Sequence, residues 1–525
     1  MKTPEPTERY LYSILSGLML TASFPPGKTD WMAWVALVPL FIGLYRASPF
    51  HAFKVGLVAG FAHYLTLLYW IIVALEHYGN IHYTVSVGIL FMLCLYLALY
   101  TALFSTFAAK IRGSWFSLFR LAGFWVALEY LRANLLTGFP WCLLGYTQYR
   151  HLELIQLADL VGVYGLSFVL VLSSALIYAL LVDRRFLKEG TLKWEIPAVL
   201  IVGCLAYAYG HFRLSEVPPR EEGERPWRIA IVQGSIDQSV KWNPAFQKKT
   251  IQIYHRLSRT TFGFRPDLIV WPETSVPFFF QDAASLAQRV MLVSRESGAD
   301  MIFGSPAYRR GEGPVRLYNR AFHLSSTGDL GGYYDKVHLV PFGEYVPLKK
   351  FLPFVDRLVV SVGDFAPGEK LSPLKLQHFN AGVLICYEII FPELARTQAK
   401  NGAQILVNLT NDAWYGMTSA PYQHFSMAVF RAVENGRPLV RAANTGISAF
   451  IGPRGRIMDQ SELFQETALT REFKPSDPAL TIYTRYGDLF AQTLSVISLI
   501  NFFFLLCYPS KKRPRVPKGT LIGPS

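Results

Sequence analysis

The stretch 381–388, AGVLICYE, is an apolar run that ends in a cysteine, a tyrosine and a carboxylate. Its residues 382–385 predict a buried strand, and Pro392 predicts the start of a short helix that ends near Gly402. Cys386 would then lie at a strand-to-helix turn, which lifts a side chain out of the sheet and places it beside backbone N–H groups. A cysteine in this position is either a nucleophile or a buried inert thiol, and the rest of the chain must decide.

The composition separates the chain into a membrane part and a globular part. Of the 525 residues, 51% are hydrophobic and only 17% are charged, whereas a soluble protein has about 25% charged residues. Long apolar runs fill the first 210 residues and recur at 488–508, while the region between has an ordinary globular composition. We expect three regions: an N-terminal transmembrane domain at 1–215, a globular domain at 226–482, and a C-terminal transmembrane helix with a basic tail at 483–525.

The net charge of +14 follows a pattern typical of membrane topology. Many of the cations lie in short loops beside the apolar runs and in the tail 511–518, KKRPRVPK, which argues against nucleic-acid binding. Of the five cysteines, only Cys386 belongs to the globular part, and no CxxC pair occurs. This arrangement argues against both a disulfide framework and a zinc site.

Eight apolar segments approach the roughly 20 residues that cross a bilayer. They are 10–24, 31–46, 53–75, 84–109, 115–133, 163–183, 195–210 and 488–508. The first could instead be a cleaved signal peptide, because residues 21–23 resemble a signal-peptidase site. Seven spans before the globular part is the simplest count.

The positive-inside rule gives these spans an orientation. With the N-terminus in the cytoplasm, the loops on that side contain the cations Arg46, Lys54, Lys110, Arg112, Arg184, Arg185, Lys188 and Lys193. The opposite loops, 76–83 and 134–162, contain Arg150 as their only Lys or Arg. We therefore expect both termini in the cytoplasm and the globular domain on the other side of the membrane.

Two features of the membrane part could contact lipid. Glu129 and Arg132 are three residues apart near the end of a span, which predicts an ion pair at the membrane interface, with a lipid headgroup as the alternative partner. The loop 139–141, Phe-Pro-Trp, is too apolar for ordinary exposure. It would anchor the chain at the interface or line a lipid access route.

The globular part alternates strands and helices, which predicts layered α/β packing with ligand groups at the carboxyl ends of strands. The expected strands are 228–232, 267–271, 301–304, 319–325, 330–336, 382–385 and 405–409, and the expected helices are 244–261, 283–297 and 422–435. A closing hairpin is expected around 452–455.

Two more strand ends carry chemistry that suits a reactive cysteine. Glu273 ends the run DLIVWPE and could act as a general base for the thiol. Lys336 ends the second hairpin strand, where a fixed ammonium could lower the pKa of the thiol and stabilise an oxyanion. Each residue alone is more typical of an ion pair, a cap or a solvated side chain. Together, Glu273, Lys336 and Cys386 at strand ends favour a nucleophilic site.

These motifs resemble a known family. The segments WPET (271–274), DKVHLVPFGEYVP (335–347) and ICYEIIFPE (385–393) are similar to the Glu-Lys-Cys signature of the nitrilase superfamily of carbon–nitrogen hydrolases. The likeness extends to VQGSIDQSVKW (232–242), NLTNDAWYG (408–416) and RAANTGIS (441–448). With its membrane spans, the whole chain resembles the apolipoprotein N-acyltransferase family. The resemblance implies a nitrilase-like αββα sandwich joined to a membrane bundle of about eight helices.

The resemblance also implies a reaction. Glu273 would deprotonate Cys386, whose thiolate attacks the acyl ester of a phospholipid, while Lys336 and the Tyr387 N–H hold the oxyanion. A lipoprotein's free α-amino group, on its S-diacylglyceryl cysteine, would then attack the resulting thioester. The supporting residues would be Glu344, Tyr387, Glu388 and Trp242. Asn319 and Asn411 also fall in matching stretches, and no role is assigned to them.

The family likeness carries further expectations about setting and partners. It implies a multi-pass protein of the bacterial inner membrane, with its catalytic domain on the periplasmic side. Its expected partners are a phospholipid acyl donor and a diacylglyceryl apolipoprotein acceptor. A monomer is expected, because the membrane anchor disfavours the dimers common in the superfamily. The chemistry requires no cofactor and no metal.

Alternatives remain open at this point. His338, two residues after Lys336, could form a Cys–His dyad with Cys386, whereas His424 is expected only near a helix start. The domain could also be a membrane-tethered amidase or nitrilase, or an inactive module that binds lipid. The apolar stretches 276–280 and 351–354 predict either a membrane-facing opening or ordinary core packing.

Overall fold

The computed structural model describes residues 3–79, 81–111, 117–181, 192–216, 225–282, 284–310, 314–345, 365–474 and 479–507. Several sequence expectations lie outside these ranges. They are the basic tail at 511–518, the loop cations Arg112, Arg184, Arg185 and Lys188, and the apolar stretch 351–354.

The N-terminal part and the C-terminal segment are helical. Their α-helices are Pro6–Ala22, Val38–Gly43, Pro49–Leu67, Trp70–Val73, Tyr83–Lys110, Ser117–Asn134, Leu152–Ile155, Ala158–Val161, Val163–Leu181, Leu192–Ser215, Ile482–Tyr486 and Leu489–Cys507. Short 3₁₀ turns occur at Asp30–Trp34 and Leu144–Gln148, and a π-helical turn at Ala74–Tyr78.

Three of the described helices are long and apolar enough to cross a membrane: Tyr83–Lys110, Val163–Leu181 and Lys193–Ser215. The pair Pro49–Leu67 and Trp70–His77, bent by 46°, gives a fourth if it forms one broken span. This is fewer than the eight spans expected from sequence. In the segment expected at 31–46, for example, the apolar stretch Asp30–Gly43 consists of a 3₁₀ turn followed by a separate α-helix of 6 residues, short of the roughly 20 residues that cross a bilayer.

The globular part contains two six-stranded sheets within its described residues. The first has the order β12-β1-β2-β3-β4-β5 and the second the order β11-β10-β9-β8-β7-β6. The strands are β1 Trp227–Gln233, β2 Leu268–Val270, β3 Asp300–Arg309, β4 Arg316–Leu324, β5 Leu330–Asp335, β6 Leu374–Lys375, β7 Asn380–Ile385, β8 Ile405–Thr410, β9 Leu439–Ala443, β10 Ala449–Ile451, β11 Ile457–Gln460 and β12 Thr467–Phe473.

The sheets stack face to face with helices on both outer sides. Because successive residues of a strand point to opposite faces, Ile229 and Ile231 of β1 pack between the sheets, while Ala230 and Val232 pack against helices. The outer helices of the first sheet are Pro244–Arg259 and Ala284–Ser297, and those of the second are Pro392–Lys400 and Ala420–Asn435. The remaining short elements are the helix Gln238–Lys241 and 3₁₀ turns at Phe262–Phe264, Cys386–Ile390 and Asp412–Tyr415. The helix–sheet–sheet–helix order is the one that the family resemblance implies.

The helix Ala420–Asn435, on the outer side of the second sheet, packs directly on the membrane part. The indole N–H groups of Trp70 and Trp141 both donate to Oε1 of Gln423, at 3.2 and 2.8 Å. The Arg431 guanidinium donates to the hydroxyl of Tyr146 at 2.8 Å. Trp141 is 1% exposed, so its ring packs inside the protein and does not anchor the loop 139–141 at the interface. It is part of the contact between the two halves of the protein.

Glu129 and Arg132 also differ from expectation. Both are buried inside the helix bundle, and both line a cavity of about 30 Å³ rather than the membrane interface. Glu129 accepts a hydrogen bond of 2.8 Å from the backbone N–H of Leu144, and the Arg132 guanidinium lies 5.5 Å from the ring centroid of Tyr64. Neighbouring helices and loops thus supply partners inside the protein, which the spacing along one helix could not reveal.

Candidate active site

Cys386 lies at the expected strand-to-helix turn. It follows β7 directly and begins the 3₁₀ turn Cys386–Ile390, which leads into the helix Pro392–Lys400. Its φ of 53° is in the left-handed region that residues other than glycine rarely adopt. The side chain is 7% exposed, so the thiol is held in a strained turn at the floor of a buried site.

Glu273 follows β2, and its backbone lies close to that of the neighbouring strand β3. Gly304, on the neighbouring strand β3, makes this approach possible. A Cβ atom at Gly304 would lie 2.7 Å from the Cα of Glu273 and would also contact the backbone nitrogen of Thr274. Thr274 itself has a positive φ of 48°. The missing side chain at Gly304 therefore helps to set where the Glu273 carboxylate lies.

Lys336 follows β5 and joins a buried network of polar groups. Its ammonium lies 2.9 Å from Oε2 of Glu344 and 3.8 Å from Oε1 of Glu273. The amide of Asn319, on β4, donates to Oε1 of Glu273 and to Oε1 of Glu344, both at 2.8 Å. Burial opposes the charged form of Lys336, but Glu344 and Glu273 outweigh it and raise the pKa of this lysine, so its ammonium stays charged.

For the pKa of the Cys386 thiol, by contrast, burial outweighs the favourable charge of Lys336. Burial and, to a smaller extent, the nearby Glu273 carboxylate raise the pKa of Cys386 to about 12, and Lys336 only partly opposes both effects. The sequence suggested that Lys336 could lower the pKa of the thiol. The lysine does act in that direction, but burial is the larger influence. Cys386 is therefore a neutral thiol in the resting protein and needs a base to become a nucleophile.

Glu388 connects the cysteine turn to the lysine loop. Its Oε2 accepts the backbone N–H of Ile385 at 2.7 Å, while its Oε1 accepts those of Val337 at 2.7 Å and His338 at 3.1 Å. The hydroxyl of Tyr334 donates to the same Oε1 at 2.9 Å. Burial raises the pKa of Glu388 to about 7, against the effect of the hydrogen bonds that it accepts. This side chain holds the segments before Cys386 and after Lys336 in one arrangement.

The remaining residues singled out from the sequence are Tyr387, Trp242 and His338, and they differ in burial and in the side chains that they contact. Tyr387 is buried, with its ring 5.2 Å from that of Phe391. Trp242 is half-buried at the end of the short helix Gln238–Lys241. The ring of His338 lies 3.7 Å from that of Phe391, and burial lowers its pKa to about 4. Within the described ranges, no hydrogen bond joins His338 to Cys386.

A second buried network lies behind Cys386. The hydroxyl of Thr410 donates to Asp412 at 3.0 Å, and Asp412 also contacts Arg441 and His424, at 2.8 and 2.9 Å. Although burial would raise the pKa of Asp412, Arg441 and His424 hold it at about 2. His424 also stacks on Trp141, with 5.5 Å between ring centroids. The sequence placed His424 near a helix start, and the structure gives it this buried role in the helix Ala420–Asn435.

Sequence reasoning missed Asn319, Lys241 and Gly304. Asn319 lies in a stretch that matches the family, which was the one available signal. Lys241 is buried and donates to the backbone carbonyl of Glu273 at 3.2 Å. The apolar stretch 276–280, by contrast, belongs to the core, since Val276, Phe278 and Phe280 pack between the first sheet and its helices. In the part of the chain that the structure describes, no group of three or more His, Cys, Asp or Glu could hold a metal ion.

Comparisons with known proteins cover nearly the whole chain. The family model of the apolipoprotein N-acyltransferase N-terminal domain matches residues 16–176, and that of carbon-nitrogen hydrolases matches residues 228–483. A curated apolipoprotein N-acyltransferase of Geobacter metallireducens is 46% identical over 493 residues, covering 93% of each chain. Another of Methylococcus capsulatus is 35% identical over 485 residues, covering 91% of this chain and 92% of the relative. Among solved structures, an amidase from Nesterenkonia sp. AN1 is 20% identical, with a TM-score of 0.37 over 51% of this chain and 99% of its own.

Proposed function

Since the chain belongs to the apolipoprotein N-acyltransferase family, we propose that Glu273, Lys336 and Cys386 carry out the family's reaction at the buried site. The enzyme is an acyltransferase that moves a fatty acyl chain from a membrane phospholipid to an apolipoprotein. The acceptor is the free α-amino group of the N-terminal S-diacylglyceryl cysteine. The observation that carries the assignment of residues is that Lys336 lies 3.8 Å from Glu273, while Glu388 ties the segment after Lys336 to the turn at Cys386.

The first half-reaction transfers the acyl chain to the enzyme. The hydrogen bond from Asn319 and the contact with Lys336 both fall on Oε1 of Glu273, which leaves Oε2 to accept the thiol proton. The thiolate attacks the ester carbonyl, and Lys336 with the Tyr387 N–H stabilises the oxyanion. When the tetrahedral intermediate collapses, the ester C–O bond breaks and Glu273 returns the proton to the departing alkoxide. The products are a Cys386 thioester and a lysophospholipid.

The second half-reaction transfers the acyl chain to the lipoprotein. The α-amino group has a reference pKa of about 8, so a fraction of it is uncharged at neutral pH. It attacks the thioester and gives a proton to Glu273, after which the C–S bond breaks and the Cys386 thiolate takes the proton back. An amide forms and the resting enzyme returns. Glu273 must therefore be ionised at the start of both half-reactions.

Glu344, Glu388, Tyr387 and Trp242 support this chemistry. Glu344 pairs with the Lys336 ammonium and shares the Asn319 amide with Glu273, so it fixes the position of the ammonium and favours its charged form. Glu388 sets the distance between the lysine loop and the cysteine turn through its hydrogen bonds. Tyr387 supplies a backbone N–H beside the thiol, and Trp242 lies next to the short helix that contacts Glu273.

The setting that we propose follows the charge pattern of the loops. The chain lies in the bacterial inner membrane with about eight spans and both termini in the cytoplasm. Its catalytic domain, 226–482, lies on the periplasmic side, between the transmembrane domain 1–215 and the C-terminal helix and tail 483–525. The close packing of Pro6–Ala22 against Pro49–Leu67, where Gly17 adjoins Ala59, supports retention of the first helix over cleavage as a signal peptide. The phospholipid and the lipoprotein are the partners, and the protein acts as a monomer.

The proposal is tested by trapping the intermediate. The purified protein in detergent is incubated with a dipalmitoyl phospholipid alone, quenched, digested and analysed by mass spectrometry. We expect a palmitoyl adduct on the peptide with Cys386, discharged to an amide by a diacylglyceryl-cysteine peptide. The exposed Cys204 is the internal control and should stay unmodified. An unmodified Cys386 peptide in a protein that still transfers acyl chains would disprove the thioester mechanism.

A further inference from the structure

Lys241 is a buried lysine beside the general base. It ends the short helix Gln238–Lys241, and 2% of its surface is exposed. Its ammonium donates to the backbone carbonyl of Glu273 at 3.2 Å. The reaction described above gives this residue no task.

A buried ammonium is unfavourable unless opposite charge compensates it. The carbonyl of Glu273 is neutral and offers only a hydrogen bond. Among the described groups, the ionisable ones that act on Lys241 are the Glu273 carboxylate and the Cys386 thiol. Lys336, by comparison, is paired with Glu344 at 2.9 Å. The Lys241 ammonium therefore lies beside the backbone of the residue that accepts the catalytic proton.

A count of charges shows what Lys241 contributes. The ammonium groups of Lys241 and Lys336 balance the carboxylates of Glu273 and Glu344 while Cys386 is a neutral thiol. Moving the proton from Cys386 to Glu273 leaves this total unchanged. Without Lys241 the three remaining charged groups, Lys336, Glu273 and Glu344, would carry one net negative charge in a buried site, which favours protonation of a carboxylate.

We propose that Lys241 is a positioning residue that keeps Glu273 ionised and holds its backbone in place, so that Glu273 can accept a proton in both half-reactions. This inference rests on the proposed role of Glu273 as general base. Other charged groups also surround Glu273 and Cys386. Lys336 contacts Glu273 directly, Glu344 is linked to Glu273 through Asn319, and the Asp412 carboxylate raises the pKa of Cys386. Burial lowers the pKa of Lys241 to about 8, so the charge of Lys241 is present below that pH.

The test is the pH profile of single-turnover acylation in full-length protein. Formation of the acyl adduct on Cys386 is followed from pH 4 to pH 9 with mixed micelles of a dipalmitoyl phospholipid, for wild type, Lys241→Met, Lys241→Gln and Lys241→Arg. We expect the acid limb of both neutral variants to move to higher pH by about one unit or more. The rate of Lys241→Gln, which keeps a donor for the Glu273 carbonyl, should converge with that of wild type above about pH 8, where Lys241 itself loses its charge. Lys241→Arg should keep the acid limb of the wild type.

Two controls separate the possible failures. Lys248→Met removes an exposed lysine from the adjacent helix and should leave the profile unchanged. Lys241→Gln keeps a hydrogen-bond donor, so it provides the neutral comparison if Lys241→Met does not fold. An equal loss of rate at every pH, with no displacement of the acid limb, would overturn the role of Lys241. Absence of the adduct in wild type would instead overturn the proposed thioester mechanism.

Discussion

The side-chain amide of Asn319 donates to Oε1 of Glu273 at 2.8 Å and so orients the carboxylate of the proposed general base. The same nitrogen also donates to Glu344 at 2.8 Å, so one residue holds both carboxylates around Lys336. These contacts join the segment after β2 and the segment after β5 into a single arrangement of charges.

Replacing Asn319 should therefore impair catalysis more than folding. Asn319→Leu removes hydrogen bonds to two charged groups, and we expect kcat/KM for acyl transfer to fall about 10- to 100-fold. The measurement is the rate of amide formation on a diacylglyceryl-cysteine peptide. Asn401→Leu is the matched control, because Asn401 is exposed and its side-chain amide donates to the carbonyl of Leu371. Comparable losses in both variants would contradict a specific role for Asn319.

Gly304→Ala should displace the general base. The new Cβ would lie 2.7 Å from the Cα of Glu273, so the backbone after β2 must shift, at a stability cost of about 1–3 kcal/mol. We expect acylation of Cys386 to fall well below that of wild type at a temperature where the variant remains folded. Gly263→Ala, which meets no atom within 4 Å, should retain full activity. An active Gly304→Ala enzyme would show that the Glu273 backbone can move without loss.

Glu273→Gln should change two properties in opposite directions. Loss of the carboxylate charge should lower the pKa of Cys386, because Glu273 raises it in the native site. The alkylation-versus-pH curve of Cys386 should therefore move to lower pH. Acylation by phospholipid should nevertheless fall at least about 100-fold, because the base is gone. Slower acylation with an unmoved alkylation curve would indicate disruption of the site rather than loss of a charged base.

His338→Phe distinguishes the two possible bases. The ring of His338 packs on Phe391, and burial lowers the pKa of His338 to about 4. An aromatic replacement preserves the packing, and we expect the acylation rate to remain within about threefold of wild type. A loss as large as that of Glu273→Gln would favour the Cys–His dyad.

Asp412 should make stability depend on pH under acidic conditions. Its pKa is held at about 2 in the folded protein, below the value of about 3.9 in an unfolded chain. The stability from its ionised form, about 2 kcal/mol, is fully present above about pH 4 and is lost as the pH falls through about 2. The thermal unfolding midpoint of wild type in detergent should therefore fall over this range. In Asp412→Asn the unfolding midpoint should be lower than that of wild type at neutral pH and should change less between about pH 4 and about pH 2. The same pH dependence in both proteins would rule out this contribution of Asp412.

The three proposed catalytic residues could be predicted because each follows a recognisable strand. β2, β5 and β7 have apolar or aromatic residues that mark them as strands, and their ends carry Glu273, Lys336 and Cys386. The turn at Cys386 was also predictable, since Pro392 marks the start of the next helix. Local pattern was sufficient wherever a residue's role follows from its place along one strand.

The rest depends on contacts that local pattern does not contain. Arg441 lies inside the buried strand β9, and its partners Asp412 and Asn408 come from elsewhere in the chain. A strand with a central arginine looks exposed in sequence, so β9 was not expected. β12 was missed for a related reason, because its partner β1 lies more than 200 residues earlier. Lys241 resembles an ordinary surface lysine until the fold brings it to Glu273.

The packing of Gln423 against Trp70 and Trp141 has a practical consequence for dissecting this enzyme. The same hydrophobic core contains Leu384 and Leu406 of the second sheet together with residues of the membrane helices. A fragment limited to the water-facing half would expose that shared core and leave the helix behind Cys386 without its support. The chain has two halves by composition but folds as one body, so its chemistry should be studied in the intact protein.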